Sequence, residues 1–173
     1  MPLNEWASVL ELSCMWQMAK VRNLAIKTIL GHGGSADDQK ALLRLSTKLG
    51  ITEIRDSAIQ TLFGALQPIE LVQFGIECQI YAWLFEGYKE LVEGGISTDQ
   101  EERLGWKTTS KLFRIREQYL QMMKLDQEMQ RYSYRTNAYH NSIATSQNAS
   151  DIATSLIRQV FAEELKDAVW DGR

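Results

Sequence analysis

Along the first half of the chain, apolar positions return every three or four residues and then stop at short polar or glycine-bearing breaks. This is the pattern of amphipathic helices joined in pairs. Trp6, Val9, Leu10 and Ser13 share one helix face, and Val21, Leu24, Ala25 and Ile29 share another. The break between these two helices falls around Gln17-Met18. Shifting the chain by 33 residues lays 5–31 on 38–64 without a gap. Leu10 then meets Leu43, Ser13 meets Ser46, Arg22 meets Arg55, Ala25 meets Ala58, and Gly31 meets Gly64. In the second copy the break is at Gly50, a residue that readily ends a helix. A looser third copy spans about Pro68 to Val92, with Gly87 where the earlier copies carry Ala25 and Ala58. A small residue there lets two helix backbones approach closely.

The pattern changes after residue 93. Ser97-Thr98-Asp99-Gln100 has the form of a capping box, so it predicts a short helix over 98–104 that Gly105 breaks. A long helix is predicted over 106–131, with Leu112, Ile115, Tyr119, Met122 and Met129 near a 3-4 spacing that Asp126 interrupts. That run is too short for a coiled coil. It suits a helix packed across the end of the stacked pairs. From Ser133 to Ser150, ten of 18 residues are Ser, Thr, Asn or Gln, the composition of a polar linker. An amphipathic helix within 151–173, with Ile157, Val160, Phe161, Leu165 and Ala168 on one face, either docks back or serves a partner.

The expected fold is therefore all-α: a short α-solenoid-like stack of antiparallel helix pairs (about 5–30, 38–64 and 68–93), then a long helix and a C-terminal helix. The helical domain would cover 1–132, the linker 133–150 and the last helix 151–173.

Composition adds little to this, whereas charge adds more. Hydrophobic residues make up 45% and charged residues 24%, within the range of ordinary globular chains. The net charge of −3 argues against a dedicated nucleic-acid binder. It is unevenly spread: residues 1–102 carry −6, 103–135 carry +5 and the remainder −2. Arg103, Lys107, Lys111, Arg114, Arg116, Lys124, Arg131 and Arg135 make the basic stretch, either a solvated helix face or a nucleic-acid contact. No apolar run approaches the ~20 residues of a membrane span, and no secretory signal opens the chain. Cys14 and Cys78 lie among apolar helical residues and read as two buried thiols in a reducing compartment, cytoplasmic or nuclear. On the same logic the Asn148-Ala-Ser150 sequon stays unmodified.

Candidate chemistry is sparse. His32 stands in a glycine turn and His140 in the polar linker, neither with partners at metal-ligand spacing. Gly31-His-Gly-Gly34 lacks the strand and the Lys-Ser/Thr of a phosphate loop. Ser110 has no evident base, and the Asp37/Asp38 and Glu101/Glu102 pairs stand at helix starts, where the dipole stabilises carboxylates. No cofactor, metal or catalytic residue is expected, and the chain reads as a non-enzyme. Arg22 and Arg55, held in register by the repeat, either close the preceding helix ends or line a concave surface. With Lys107, Lys111, Arg114 and Arg116 they are the candidate binding residues.

Three stretches carry a resemblance. They are Glu5-Trp6-Ala-Ser-Val-Leu-Glu-Leu12 with Met15-Trp16 and Val21-Arg22-Asn-Leu-Ala-Ile26; Ala82-Trp83-Leu84 with Gly87-Tyr88-Lys-Glu-Leu91; and Glu101-Glu-Arg-Leu-Gly-Trp106 leading to Arg114-Ile-Arg-Glu117. In order and spacing, residues 5–117 resemble the helical region after the BTB/POZ domain of basidiomycete fungal BTB proteins, similar in kind to the BACK helices of BTB–Kelch proteins. The resemblance implies a BACK-like fold and a protein-binding or scaffold role, and supplies no catalytic residues. It departs from the family in two ways. Leu42 to Phe63 matches less well, and no BTB domain precedes Trp6, so that domain's dimerisation and cullin-ligase adaptor roles are not implied. Nucleic-acid binding through 103–135, and an enzyme with an unrecognised site, stand as the alternatives.

Overall fold

In the computed structural model, the described residues are 2–32, 34–135, 144–162 and 165, with side chains of 129–149 outside the description. They form an all-α protein. The helices are α1 (Leu3–Met15), α2 (Ala19–Gly31), α3 (Ala36–Leu49), α4 (Thr52–Leu62), α5 (Pro68–Glu77), α6 (Tyr81–Gly94), α7 (Thr98–Leu104), α8 (Trp106–Arg135) and α9 (Ala144–Val160).

The chain divides into two compact units, Met1–Leu66 and Gln67–Arg173. In the first, α1 packs with α2 and α3 with α4, while α1 also meets α3 and α2 meets α4. The second pair thus lies on the first. Leu10, Ala25 and Ile29 of the first pair bury against Leu42, Ile51 and Ile54 of the second. In the second unit, α6 packs against α5, α8 and α9, and α7 against α5 and α8. Within the second unit, one apolar face of the third pair is covered by the helices that follow it. Val72, Leu84, Tyr88 and Leu91 are buried with Leu112 and Ile115 of α8 and with Ala153, Ile157 and Phe161 from the last helix and its following turn.

One turn is built three times. Gln17, Gly50 and Gln79 all take left-handed backbone (φ 55°, 68° and 55°). In each case the following amide reaches back over the helix end: Met18 to the Ser13 carbonyl, Ile51 to Ser46 and Ile80 to Gly75, all at 2.9 Å. That hydrogen bond satisfies a carbonyl left open by the helix terminus. Ser13 and Ser46, both buried, spend their hydroxyls identically, donating to the carbonyls of Leu10 (2.8 Å) and Leu43 (3.0 Å). Thr28 and Thr61 likewise donate to Leu24 and Ser57 carbonyls at 2.9 Å.

In the third pair, glycine replaces both small residues at these close positions. A Cβ on Gly75 would lie 2.8 Å from the Leu84 nitrogen, and one on Gly87 would lie 2.8 Å from the Pro68 carbonyl oxygen. The α5 and α6 backbones are therefore nearer than any side chain there permits.

Helix starts follow their caps. Ser35 and Asp38 form a reciprocal capping box, as do Ser97 and Gln100, and a third one joins Gln67 to Glu70 ahead of Pro68. The last two elements differ from the sequence reading. Helix α8 runs to Arg135, and α9 begins at Ala144, so 144–150 of the expected linker is helix; 136–143 lie outside the described residues. Ser, Thr and Asn disfavour helix because their side chains compete for backbone hydrogen bonds. Burial of Ala153, Leu156 and Ile157 one to three turns later outweighs that preference. The helix expected within 151–173 ends at Val160, and 163–164 and 166–173 lie outside the described residues.

Candidate interaction surfaces

The six candidate binding residues are divided between the two units. Arg22 is exposed and Arg55 half-buried, on α2 and α4 of the first unit. The other four lie on α8 in the second unit. At about 100° per residue, Lys107, Lys111 and Arg114 fall within an arc of about 60°, and Arg116 lies on the far side of the helix.

Their environments differ accordingly. Arg116 donates from Nη1 to the Val92 carbonyl at 2.7 Å and the Glu93 carbonyl at 3.3 Å, with its guanidinium against Gly95. A cation at the last carbonyls of α6 offsets both the unpaired acceptors and the negative end of the helix dipole. Arg116 thus closes a helix end, the kind of role considered for Arg22 and Arg55. Lys111 holds its ammonium 4.9 Å from the Phe161 ring centre, and that ring stacks on Tyr88 at 4.1 Å. The last helix therefore docks: Lys111 is part of its seat. Lys107 and Arg114 remain as exposed cations on that arc. Arg103 is tied to Gln73 at 2.8 Å and lies 4.0 Å from Asp99.

The polar groups considered for chemistry serve local structure. His32 Nδ1 lies 3.0 Å from the Thr28 carbonyl oxygen, and Ser110 donates to the Lys107 carbonyl of its own helix at 3.1 Å. His140 is outside the described residues. The Ser35 hydroxyl and amide hold the Asp38 carboxyl below its ordinary range. Partial burial, then the nearby Glu93, raise Tyr119. Among the described residues no three His, Cys, Asp or Glu side chains are grouped to hold a metal ion, and no helix is long and apolar enough to cross a membrane. Cys78 is buried, but Cys14 is only half-buried, and no disulfide joins them.

The sequence reading missed the apolar residues that rigid helices hold in water. In the second unit, Trp106 is 82% exposed, and Phe113 and Leu120 follow it at seven-residue steps on the same side of α8. In the first unit, Leu12, Met15, Trp16 and Met18 are all exposed around the α1–α2 turn, and Leu24, expected on the buried face, is exposed as well. The seven-residue step from Trp106 was a readable signal, overlooked because Leu112 and Ile115 define a second, buried stripe on the same helix. Comparison with protein-family models, with characterised proteins and with solved structures gives no match for this chain.

Proposed function

We propose that the chain is a protein-interaction module: a helical scaffold that holds a partner on exposed apolar helix faces. The observation that carries this is the placement of large apolar side chains in water on well-packed helices, Trp16 in one unit and Trp106, Phe113 and Leu120 in the other. Isolated exposed apolar residues are ordinary, but aligned groups mark association surfaces. Aromatic anchors supply the largest contact area per ordered side chain. The threefold recurrence of one turn supports reading α1–α6 as three copies of a helix pair, an architecture that presents broad faces. The resemblance of residues 5–117 to the helices that follow a BTB domain supports the same reading, a protein-binding scaffold.

The test is quantitative cross-linking of the full chain in an extract of its source, beside Trp106→Glu and Trp16→Glu variants of unchanged thermal stability. A protein adduct formed by the native chain and lost in at least one variant is the expected result. Identical adduct patterns in all three would sink the proposal.

A further inference from the structure

The three pairs allow a comparison of what covers each one. The face of the second pair that receives the first contains Leu42, Leu45, Leu49, Ile51 and Ile54, all buried or half-buried against Leu10, Ala25 and Ile29. The turn equivalence places Leu71, Phe74, Cys78, Ile80 and Trp83 at the same positions of the third pair, and all five are buried. In the first pair these positions are Val9, Leu12, Trp16, Met18 and Val21. Here Leu12 is 49%, Trp16 69% and Met18 46% exposed, against 7% for Ile51. The residue types are those of a covered face; Val9 and Val21 are half-buried, but among the described residues nothing covers Leu12, Trp16 and Met18. Even the edge fits: where Lys48 of the second pair meets Glu11 of the first at 3.4 Å, the first pair carries exposed Met15.

We infer that this end of the first unit is a docking surface for an antiparallel helix pair of a partner protein. That pair meets Leu12, Trp16 and Met18 with an aliphatic face centred on a small residue, as Leu10, Ala25 and Ile29 meet the second pair. The occupant's chemistry is read from what covers the equivalent face one pair later. A second copy of this chain cannot supply it in folded form. Its first such face lies under α3 and α4, and its second (Leu43, Ala58, Leu62) is buried. Its third (Val72, Gly87, Leu91) lies beneath α8 and α9. The inference rests on the interaction-module reading and gives it a place and a kind of partner.

The test is a tandem variant in which residues 2–34 are duplicated in register ahead of the full chain, so that the added pair offers the proposed complement. The inner Trp16 is followed by acrylamide quenching, with inner Trp16→Phe as the subtraction control. Docking predicts that quenching of Trp16 falls several-fold, its emission shifts to the blue, and the melting temperature rises by several degrees. An inner Trp16 as quenchable as in the native chain, with no gain in melting temperature, overturns the inference. So does a concentration-dependent dimer of the native chain, seen by sedimentation velocity and abolished by Trp16→Glu, which assigns the face to a second copy. Because the cross-linking test also scores Trp106, loss of this face leaves the broader reading separately decidable.

Discussion

At the residue scale, two arginines two positions apart show why position on a helix outweighs residue type. Arg114 and Arg116 look alike in the sequence, yet one projects into water and the other closes α6 through the Val92 and Glu93 carbonyls. Hydrogen bonds from a charged donor to helix-end carbonyls contribute about 1–2 kcal/mol, whereas an exposed surface cation contributes within about 0.5 kcal/mol. Arg116→Met is therefore expected to lower unfolding free energy by about 1–2 kcal/mol, and Arg114→Met to leave it nearly unchanged. Urea denaturation of both variants checks this, and equal losses would contradict the assignment. The sequence could not separate them, because the carbonyls that Arg116 meets lie 23 and 24 residues away and become neighbours only when α6 and α8 pack.

At the element scale, most of the fold was legible where local chemistry and periodicity agree. The breaks at Gln17, Gly50 and Gly105, the cap at Ser97 and the acidic helix start at Asp37 and Asp38 all stand where the sequence puts them. Reading failed where tertiary burial overrides local preference. The start of α9 at Ala144 is hidden by its Ser-, Thr- and Asn-rich sequence, and the exposure of Leu24 is invisible to a period count. Of the candidate residues on α8, Lys107 and Arg114 are exposed, whereas Lys111 and Arg116 are engaged inside the second unit, which the sequence could not show. The last helix is held through Phe161, fully buried, stacked on Tyr88 and capped by the Lys111 ammonium. Removing such a ring loses both its transfer free energy and the packing around the cavity left behind, about 3–5 kcal/mol. Phe161→Ala should therefore destabilise the second unit by that amount, read by denaturation followed at Trp83 and Trp106, two of the three tryptophans in that unit. A loss below about 1 kcal/mol would mean that the last helix is not integral to that core.

At the scale of the whole molecule, the uneven charge poses the question of partner class. An acidic front half and a +5 stretch over 103–135 would suit a nucleic-acid contact if the cations shared one open face. They do not. Arg116 lies opposite the Lys107–Arg114 arc and is committed to a helix end, Lys111 sits over Phe161, and Arg103 is held by Gln73 beside Asp99. Among the described side chains, Lys107 and Arg114 remain on that arc and Lys124 is exposed farther along α8, and three phosphate contacts release about three counterions. The affinity such a set supplies is small, and the net charge of −3 opposes even that. The expected outcome is no saturable binding of generic duplex by the full chain at low salt, measured by fluorescence anisotropy. Binding whose logarithm falls with log salt at a slope of about −5 or steeper would require five or more cations acting together. That result would transfer the functional surface from the apolar residues of the helix pairs to the basic length of α8.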